Sequence, residues 1–463
     1  MHGWKRHGAL LFALAALSCG PVTRGGEMFP RAVELRRLEL PGSVSAAPPP
    51  KSEAVDPELQ RILEKVSATR HLPILRPVTS RSLSREALLA KLRAKIAEEI
   101  PAGVIALQGE SLRLLELVPL DYDFEAGILK LLQGRIAGLY DPADRTMYLL
   151  DDLSDGLKEE TLNHELVHAL QDQSFDLAPH LKFRAGMGDP SAASQLLIEG
   201  DATNAMFEVA GKSSLAIDEG ALRALFLVST RLSADGLVTP SILQSSLISP
   251  YTDGFSFVQN LRRKGGWRQV DAALGHMPET TEQALHVDKF FAREPAILIS
   301  DPTLTSLEPG FVPAFVDSIG ELGLRQMLEE WTARTVAKTA AAGWGGDRYV
   351  VAQRTMPDGN VETGVAFHIR MDSVADAAEV AAVLSEALGR PKRSSSASAF
   401  CKERPSLGPI AWSVNGADLA IVAGPYATLK GSIRSASSCA KALQWLGETS
   451  GEPSRNRATR PPP

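Results

Sequence analysis

Residues 156–175 read GLKEETLNHELVHALQDQSF and contain HELVH at residues 164–168, an HExxH motif. On a helix that advances about 100° per residue, His164, Glu165 and His168 lie on one face. The opposite face is apolar and consists of Leu162, Leu166, Ala169 and Leu170. The segment is therefore predicted to be an amphipathic helix that buries one side and offers two imidazoles and a carboxylate on the other.

The spacing of these polar residues suits a zinc ion. Neutral imidazoles at positions i and i+4 can both reach one Zn²⁺ at about 2.0–2.1 Å, whereas the glutamate between them points too far round the helix to be a ligand. Glu165 is instead placed to act as a general base towards water at the metal. The alternative is an ordinary helix with solvated His and Glu side chains, because a short motif also arises by chance.

A catalytic zinc site needs a third protein ligand, and Glu199 is the candidate. It follows three apolar residues in LLIEGDAT, residues 196–203, on a helix predicted to begin at Asp189 and to end at Val209. A carboxylate on a half-buried helix is rarely left without a partner or a metal. The alternative is that Glu199 ends the apolar run at the surface.

The segment HELVHALQDQSFDL, with LIEGDAT placing Glu199 31 residues after His168, resembles the gluzincin class of zinc metallopeptidases. It resembles more closely a group of largely uncharacterised bacterial secreted or lipoprotein HExxH proteins, over roughly residues 76–348. The shared marks are GLYDP at 138–142, YTDGF at 251–255, TEQALH at 281–286 and GWGGDR at 343–348. The resemblance implies a zincin-like fold, peptide or protein substrates, His164, His168 and Glu199 as metal ligands, and Glu165 as the base.

The sequence departs from the thermolysin-like pattern, which has an aspartate four residues after the ligand glutamate to support a histidine ligand. Thr203 occupies that position here. A metal-binding histidine usually donates its other N–H to a carboxylate or a carbonyl. Asp201 is the nearest candidate for this role, and a solvated Asp201 is the alternative.

Hydrolysis of an amide also calls for a donor to the oxyanion that develops on the carbonyl. The candidates are Tyr251, in a predicted loop that leads into a helix, and His286, which closes TEQALH and is ranked ahead of Tyr251. For both side chains, ordinary packing or a surface hydrogen bond is the alternative.

The N-terminus indicates export. Lys5 and Arg6 precede a short apolar run at residues 9–17, which is too brief to span a bilayer and is typical of a secretory signal. ALSC at residues 16–19 resembles a relaxed bacterial lipobox, which implies a lipid anchor at Cys19 in the cell envelope. Plain export to the periplasm or medium is the alternative.

The predicted fold class is α+β. The predicted units are a signal peptide at 1–19, a flexible tether at 20–55, a mainly helical zincin-like domain at 56–340, a C-terminal ββαββα unit at 341–447 and a disordered tail at 448–463. A small β-hairpin at residues 136–150 precedes the HExxH helix, and it either binds extended substrate along its edge or only covers the core. Cys401 and Cys439 remain as an even pair that forms one disulfide or stays as two thiols.

The 463 residues carry a net charge of -6 without a basic cluster beyond the signal, which argues against nucleic acid as a partner. The expected function is zinc-dependent hydrolysis of peptide bonds. Two alternatives are an exported binding or assembly lipoprotein with a structural or vestigial metal site, and a zinc amidase that acts on cell-wall material.

Overall fold

The computed structural model describes residues 56–133, 136–232, 238–390, 392–394, 397–429 and 432–450. The predicted signal peptide at 1–19, the tether at 20–55 and most of the predicted tail lie outside the described residues. The tail predicted from residue 448 begins too early, because the last helix ends at Thr449.

The described residues form a mixed α+β structure. The helices are α1 Pro57–Arg70, α2 Arg85–Glu99, α3 Val104–Leu114, α4 Phe124–Gln133, α5 Asp155–Phe175, α6 Ala178–Leu181, α7 Gly188–Val209, α8 Glu219–Leu232, α9 Ser241–Gly265, α10 Trp267–Gly275, α11 Thr281–Leu285, α12 Val287–Ala292, α13 Gly320–Glu329, α14 Arg334–Ala341, α15 Val374–Ala387 and α16 Cys439–Thr449. The strands are β1 Thr79–Leu83, β2 Gly138–Asp141, β3 Thr146–Leu150, β4 Val312–Asp317, β5 Trp344–Thr355, β6 Val361–Met371, β7 Lys392–Ser394, β8 Ala397–Lys402, β9 Ile410–Asn415, β10 Asp418–Leu429 and β11 Ser432–Ser435. None of these helices combines the length and the apolar character needed to cross a bilayer.

A three-stranded sheet in the order β1-β3-β2 lies directly before the HExxH helix. The predicted hairpin is confirmed, since β2 pairs antiparallel with β3. Strand β1 was not predicted, and it pairs parallel with β3 from Thr79 opposite Thr146 to Leu83 opposite Leu150. Strand β2 is thus an edge strand, and all four of its residues are buried.

The HExxH segment forms α5 and buries the predicted apolar face. Leu162, Leu166, Ala169 and Leu170 are at most 2% exposed. They share one core cluster with Leu196, Leu197 and Ala202 of α7 and with apolar residues of α1 and α9. This packing holds α5 against α7, which begins one residue before the predicted Asp189 and ends at the predicted Val209.

The loop predicted around Tyr251 is wrong, because Tyr251 lies inside the 25-residue helix α9. Pro250 favours a break, since proline donates no backbone hydrogen bond. The flanking residues Ile248 and Phe255 are fully buried, and their packing outweighs the lost hydrogen bond.

An antiparallel sheet in the order β4-β5-β6-β10-β9-β8-β7, with β11 paired to β10, lies between Val312 and Ser435. It includes β4, which lies before the predicted boundary at residue 341. The predicted order ββαββα is wrong in its second half, where β7 to β11 all precede the last helix. Strands β7 and β8 were not predicted, because short strands near a sheet edge need little apolar pattern.

The disulfide alternative for Cys401 and Cys439 is confirmed. The two residues are bonded with a Cα–Cα distance of 5.7 Å, and the bond joins β8 to the first residue of α16. The alternative of two unpaired thiols is wrong.

Candidate metal centre

Three side chains from α5 and α7 converge on one point. Nε2 of His164 lies 3.2 Å from Oε2 of Glu199 and 3.2 Å from Nε2 of His168. Nε2 of His168 lies 3.5 Å from the same Glu199 oxygen. The structure therefore brings together the three predicted ligands, which are 31 to 35 residues apart between the two helices.

The donor triangle matches the size expected for a small tetrahedral cation. With bonds of about 2.0–2.1 Å, the ligand atoms of tetrahedral zinc stand about 3.3 Å apart. The observed edges are 3.2, 3.2 and 3.5 Å. Two imidazole nitrogens and one carboxylate oxygen are also donors that zinc prefers, so these residues could hold such an ion.

The candidate ligands are almost enclosed by protein. The side chains of His164 and Glu199 are 0% and 3% exposed, whereas that of His168 is 12% exposed. Glu165 is 2% exposed. The alternative that Glu199 ends its apolar run at the surface is wrong, and solvent meets the cluster mainly along the His168 ring.

The three groups also stabilise one another electrostatically. Burial lowers the pKa of His168, but the attraction of the Glu199 carboxylate outweighs this effect and raises the pKa to about 9. Burial likewise raises the pKa of Glu199, and the two histidines reverse that shift and lower the pKa to about 2. The carboxylate is therefore ionised at neutral pH, and the His168 imidazole must release a proton when a metal binds.

Glu165 lies beside the cluster and is held by the small sheet. Its Oε2 accepts a hydrogen bond of 2.9 Å from the backbone N–H of Tyr140 in β2. The Tyr140 hydroxyl donates to Asp172 on α5 at 2.9 Å, so one residue fixes β2 to the helix at two points. GLYDP is one of the segments on which the resemblance to HExxH proteins rests, but the sequence alone did not predict the contact between Tyr140 and Glu165.

Asp201 is buried, but it does not contact His168. The histidine Nδ1 donates to Oε1 of Gln171 at 2.8 Å, and Nε2 of Gln171 donates to Asp201 at 2.7 Å. Thr203, which stands where the thermolysin-like pattern has aspartate, donates its hydroxyl to the backbone oxygen of Glu199 at 2.7 Å. Support for His168 thus comes from a glutamine of its own helix.

The two oxyanion candidates lie in different surroundings. The ring of Tyr251 is 5.9 Å from the ring of His164 and stacks on Phe226 of α8 at 5.7 Å. His286 pairs instead with Glu321 of α13, with 2.9 Å between Nε2 and Oε1. Among the contacts of the described residues, none joins His286 to the three candidate ligands. The structure thus brings Tyr251 to the cluster.

A second group of carboxylates, Glu282, Glu294 and Asp372, also meets at one point. Nζ of Lys289 lies 2.6 Å, 2.8 Å and 2.9 Å from their oxygens. The ammonium therefore takes the place that a cation would occupy.

The match to a known family lies in the C-terminal part of the chain, outside the candidate metal centre. A family model described as "Domain of unknown function (DUF8575)" matches residues 313–433. The match covers most of the large sheet and none of the candidate ligands. No curated protein and no solved structure matches the chain.

Proposed function

We propose that this protein is a zinc-dependent metallopeptidase in which His164, His168 and Glu199 hold Zn²⁺ and Glu165 is the general base. The observation that carries the proposal is the triangle of donor atoms with edges of 3.2, 3.2 and 3.5 Å beside a buried carboxylate. Bound Zn²⁺ supplies Lewis acidity to a peptide carbonyl and to the attacking water.

The protein's own groups position the base and move the proton. The N–H of Tyr140 fixes one oxygen of the Glu165 carboxylate. The other oxygen, Oε1, makes no hydrogen bond among the described residues and is the atom proposed to take a proton from water. Glu165 then gives that proton to the leaving amine, which must depart neutral.

The proposed setting is the bacterial cell envelope, with a lipid anchor at Cys19 and peptides or proteins as substrates. The disulfide between Cys401 and Cys439 supports export, because such bonds persist in oxidising compartments.

One observation favours a second candidate, a binding or assembly lipoprotein with a structural metal. The near-complete burial of His164, Glu165 and Glu199 suits a closed site. A structural zinc site, however, usually closes with a fourth protein ligand and has no use for a base. A zinc amidase that acts on cell-wall material would use the same groups, and a substrate screen separates it from a peptidase.

The decisive experiment is metal analysis of the purified protein beside Glu165→Gln, with unfolded proteins as substrates. Glutamine can still accept the Tyr140 N–H, so the variant should fold, keep about one metal per chain and lose hydrolysis. His164→Ala, the matched control, should lose the metal as well. Full activity in Glu165→Gln would show that Glu165 is not the general base. A parent protein that contains no metal would contradict the proposed metal site.

A further inference from the structure

The geometry points to Gln171, Asp201 and Arg70 as a relay that positions His168 for metal binding. This inference rests on the proposed function, in which His168 is a metal ligand. The relay runs from Nδ1 of His168 to Gln171, from Gln171 to Asp201 and from Asp201 to Arg70. These are positioning residues, since none of them provides an atom to the donor triangle.

The orientation of the Gln171 amide is set by two acceptors. Its Nε2 donates to the backbone oxygen of Ile198 at 3.1 Å and to the Asp201 carboxylate at 2.7 Å. A rotated amide would place Oε1 against both of these oxygens. Oε1 therefore faces His168 and can only accept a hydrogen bond, so Nδ1 of His168 carries a proton and Nε2 is the nitrogen left for a metal.

Arg70 fixes the Asp201 carboxylate at the far end of the relay. Its Nε donates to Oδ1 of Asp201 at 2.6 Å, and both side chains are 0% exposed. The guanidinium also pairs with Asp271 at 2.7 Å and lies 4.6 Å from the centre of the Trp267 ring. The buried guanidinium thus fixes the position of the Asp201 carboxylate, and the carboxylate in turn holds the Gln171 amide and the His168 imidazole in one orientation.

Asp201→Asn should exchange the donor and acceptor roles in the hydrogen bonds between residue 201 and His168 while the side chain keeps its size. Arg70 needs an acceptor, so the asparagine oxygen stays on its side and the new amino group faces Nε2 of Gln171. Only the Ile198 carbonyl then still favours the original amide orientation, and the rotated amide, which accepts from the new amino group, presents a donor to Nδ1 of His168. This favours the tautomer whose proton sits on Nε2, the nitrogen required by the metal.

The test is the affinity of the full-length protein for Zn²⁺, measured by competition with a chromophoric chelator. We expect Asp201→Asn to bind Zn²⁺ about 10- to 100-fold more weakly than the parent. The double variant Gln171→Glu with Asp201→Asn should recover part of the loss, since the new carboxylate accepts from both His168 and the asparagine.

Ser194→Ala is the matched control, because Ser194 is buried on the same helix and donates its hydroxyl to the backbone oxygen of Pro190 in that helix, without reaching His168. It should lower thermal stability and leave the affinity for Zn²⁺ unchanged. If Asp201→Asn fails to fold, Gln171→Leu tests the same contact while the pair of Arg70 and Asp201 stays intact. A parent that binds no Zn²⁺ overturns the proposed function, whereas a parent that binds it and folded variants of equal affinity overturn the relay alone.

Discussion

A Cβ atom added to Gly200 of α7 would overlap the carbonyl group of Gly254 of α9, and one added to Gly254 would overlap the carbonyl of Leu196. The two helices therefore touch backbone to backbone at the residue that follows the candidate ligand Glu199. This close approach also brings Tyr251, one turn away on α9, towards His164.

Gly200→Ala should therefore disturb both the fold and the metal site. The added methyl group has no space, so the helices must separate, and we expect the free energy of unfolding to fall by about 3 kcal/mol. Chemical denaturation and Zn²⁺ affinity measure the two effects.

Gly156→Ala is the control for that substitution. Gly156 lies near the start of α5, and a Cβ atom there would meet nothing within 4 Å. Alanine should raise stability by about 0.5–1 kcal/mol, because glycine loses more conformational freedom on folding. Equal stability of the two variants would contradict the importance of the close contact.

Removal of the metal should abolish hydrolysis and lower the melting temperature. Binding to the folded state alone stabilises it by about 4 kcal/mol when the free ligand is at 1,000 times its dissociation constant. A strong chelator should reverse this shift in the parent and in Glu165→Gln alike, and added Zn²⁺ should restore it. Activity that persists in excess chelator would contradict the proposal.

Tyr251 and His286 make different predictions for the oxyanion donor. Tyr251 lies beside His164, so Tyr251→Phe should lower kcat by about 10²-fold and keep the metal, since loss of one such donor costs about 10²–10³-fold. His286 bonds Glu321, so His286→Gln should have the smaller effect on kcat. A larger loss of kcat in His286→Gln than in Tyr251→Phe would favour His286 as the oxyanion donor, as the sequence analysis ranked it.

The parts of the site that the sequence predicted depend on local spacing. His164, Glu165 and His168 are fixed by helix periodicity, and the burial of Glu199 follows from the apolar run before it. The hairpin before α5 was also predictable, because its strands flank a turn-prone segment.

The parts that were missed depend on residues far apart in the chain. Arg70 meets Asp201 across 131 positions, and no local pattern on α1 indicates a buried arginine. Strand β1 likewise pairs with β3 across 67 positions, from Thr79 to Thr146. The helix through Pro250 shows the same limit, since tertiary packing outweighs the local preference for a break.

The stability of the fold should also depend on pH through Asp189, at the start of α7. Burial raises the pKa of Asp189, and the nearby Asp347 and Glu282 carboxylates raise it further. Hydrogen bonds from Thr281 lower it in part, and the resulting pKa is about 8. An aspartate in the unfolded chain has a pKa near 4. The folded state therefore binds the extra proton between about pH 4 and pH 8, and stability falls as the pH rises through this window.

Asp189→Asn should remove this pH dependence, because its amide oxygen can still accept from the N–H and hydroxyl of Thr281. One pKa unit corresponds to about 1.4 kcal/mol, so we expect the variant to gain at least that much over the parent at pH 9 relative to pH 5. Denaturation curves at the two pH values measure the difference. Asp288→Asn is the control, since that side chain is 89% exposed and should change neither value. An equal effect of Asp189→Asn at both pH values would mean that the buried carboxyl does not ionise in this range.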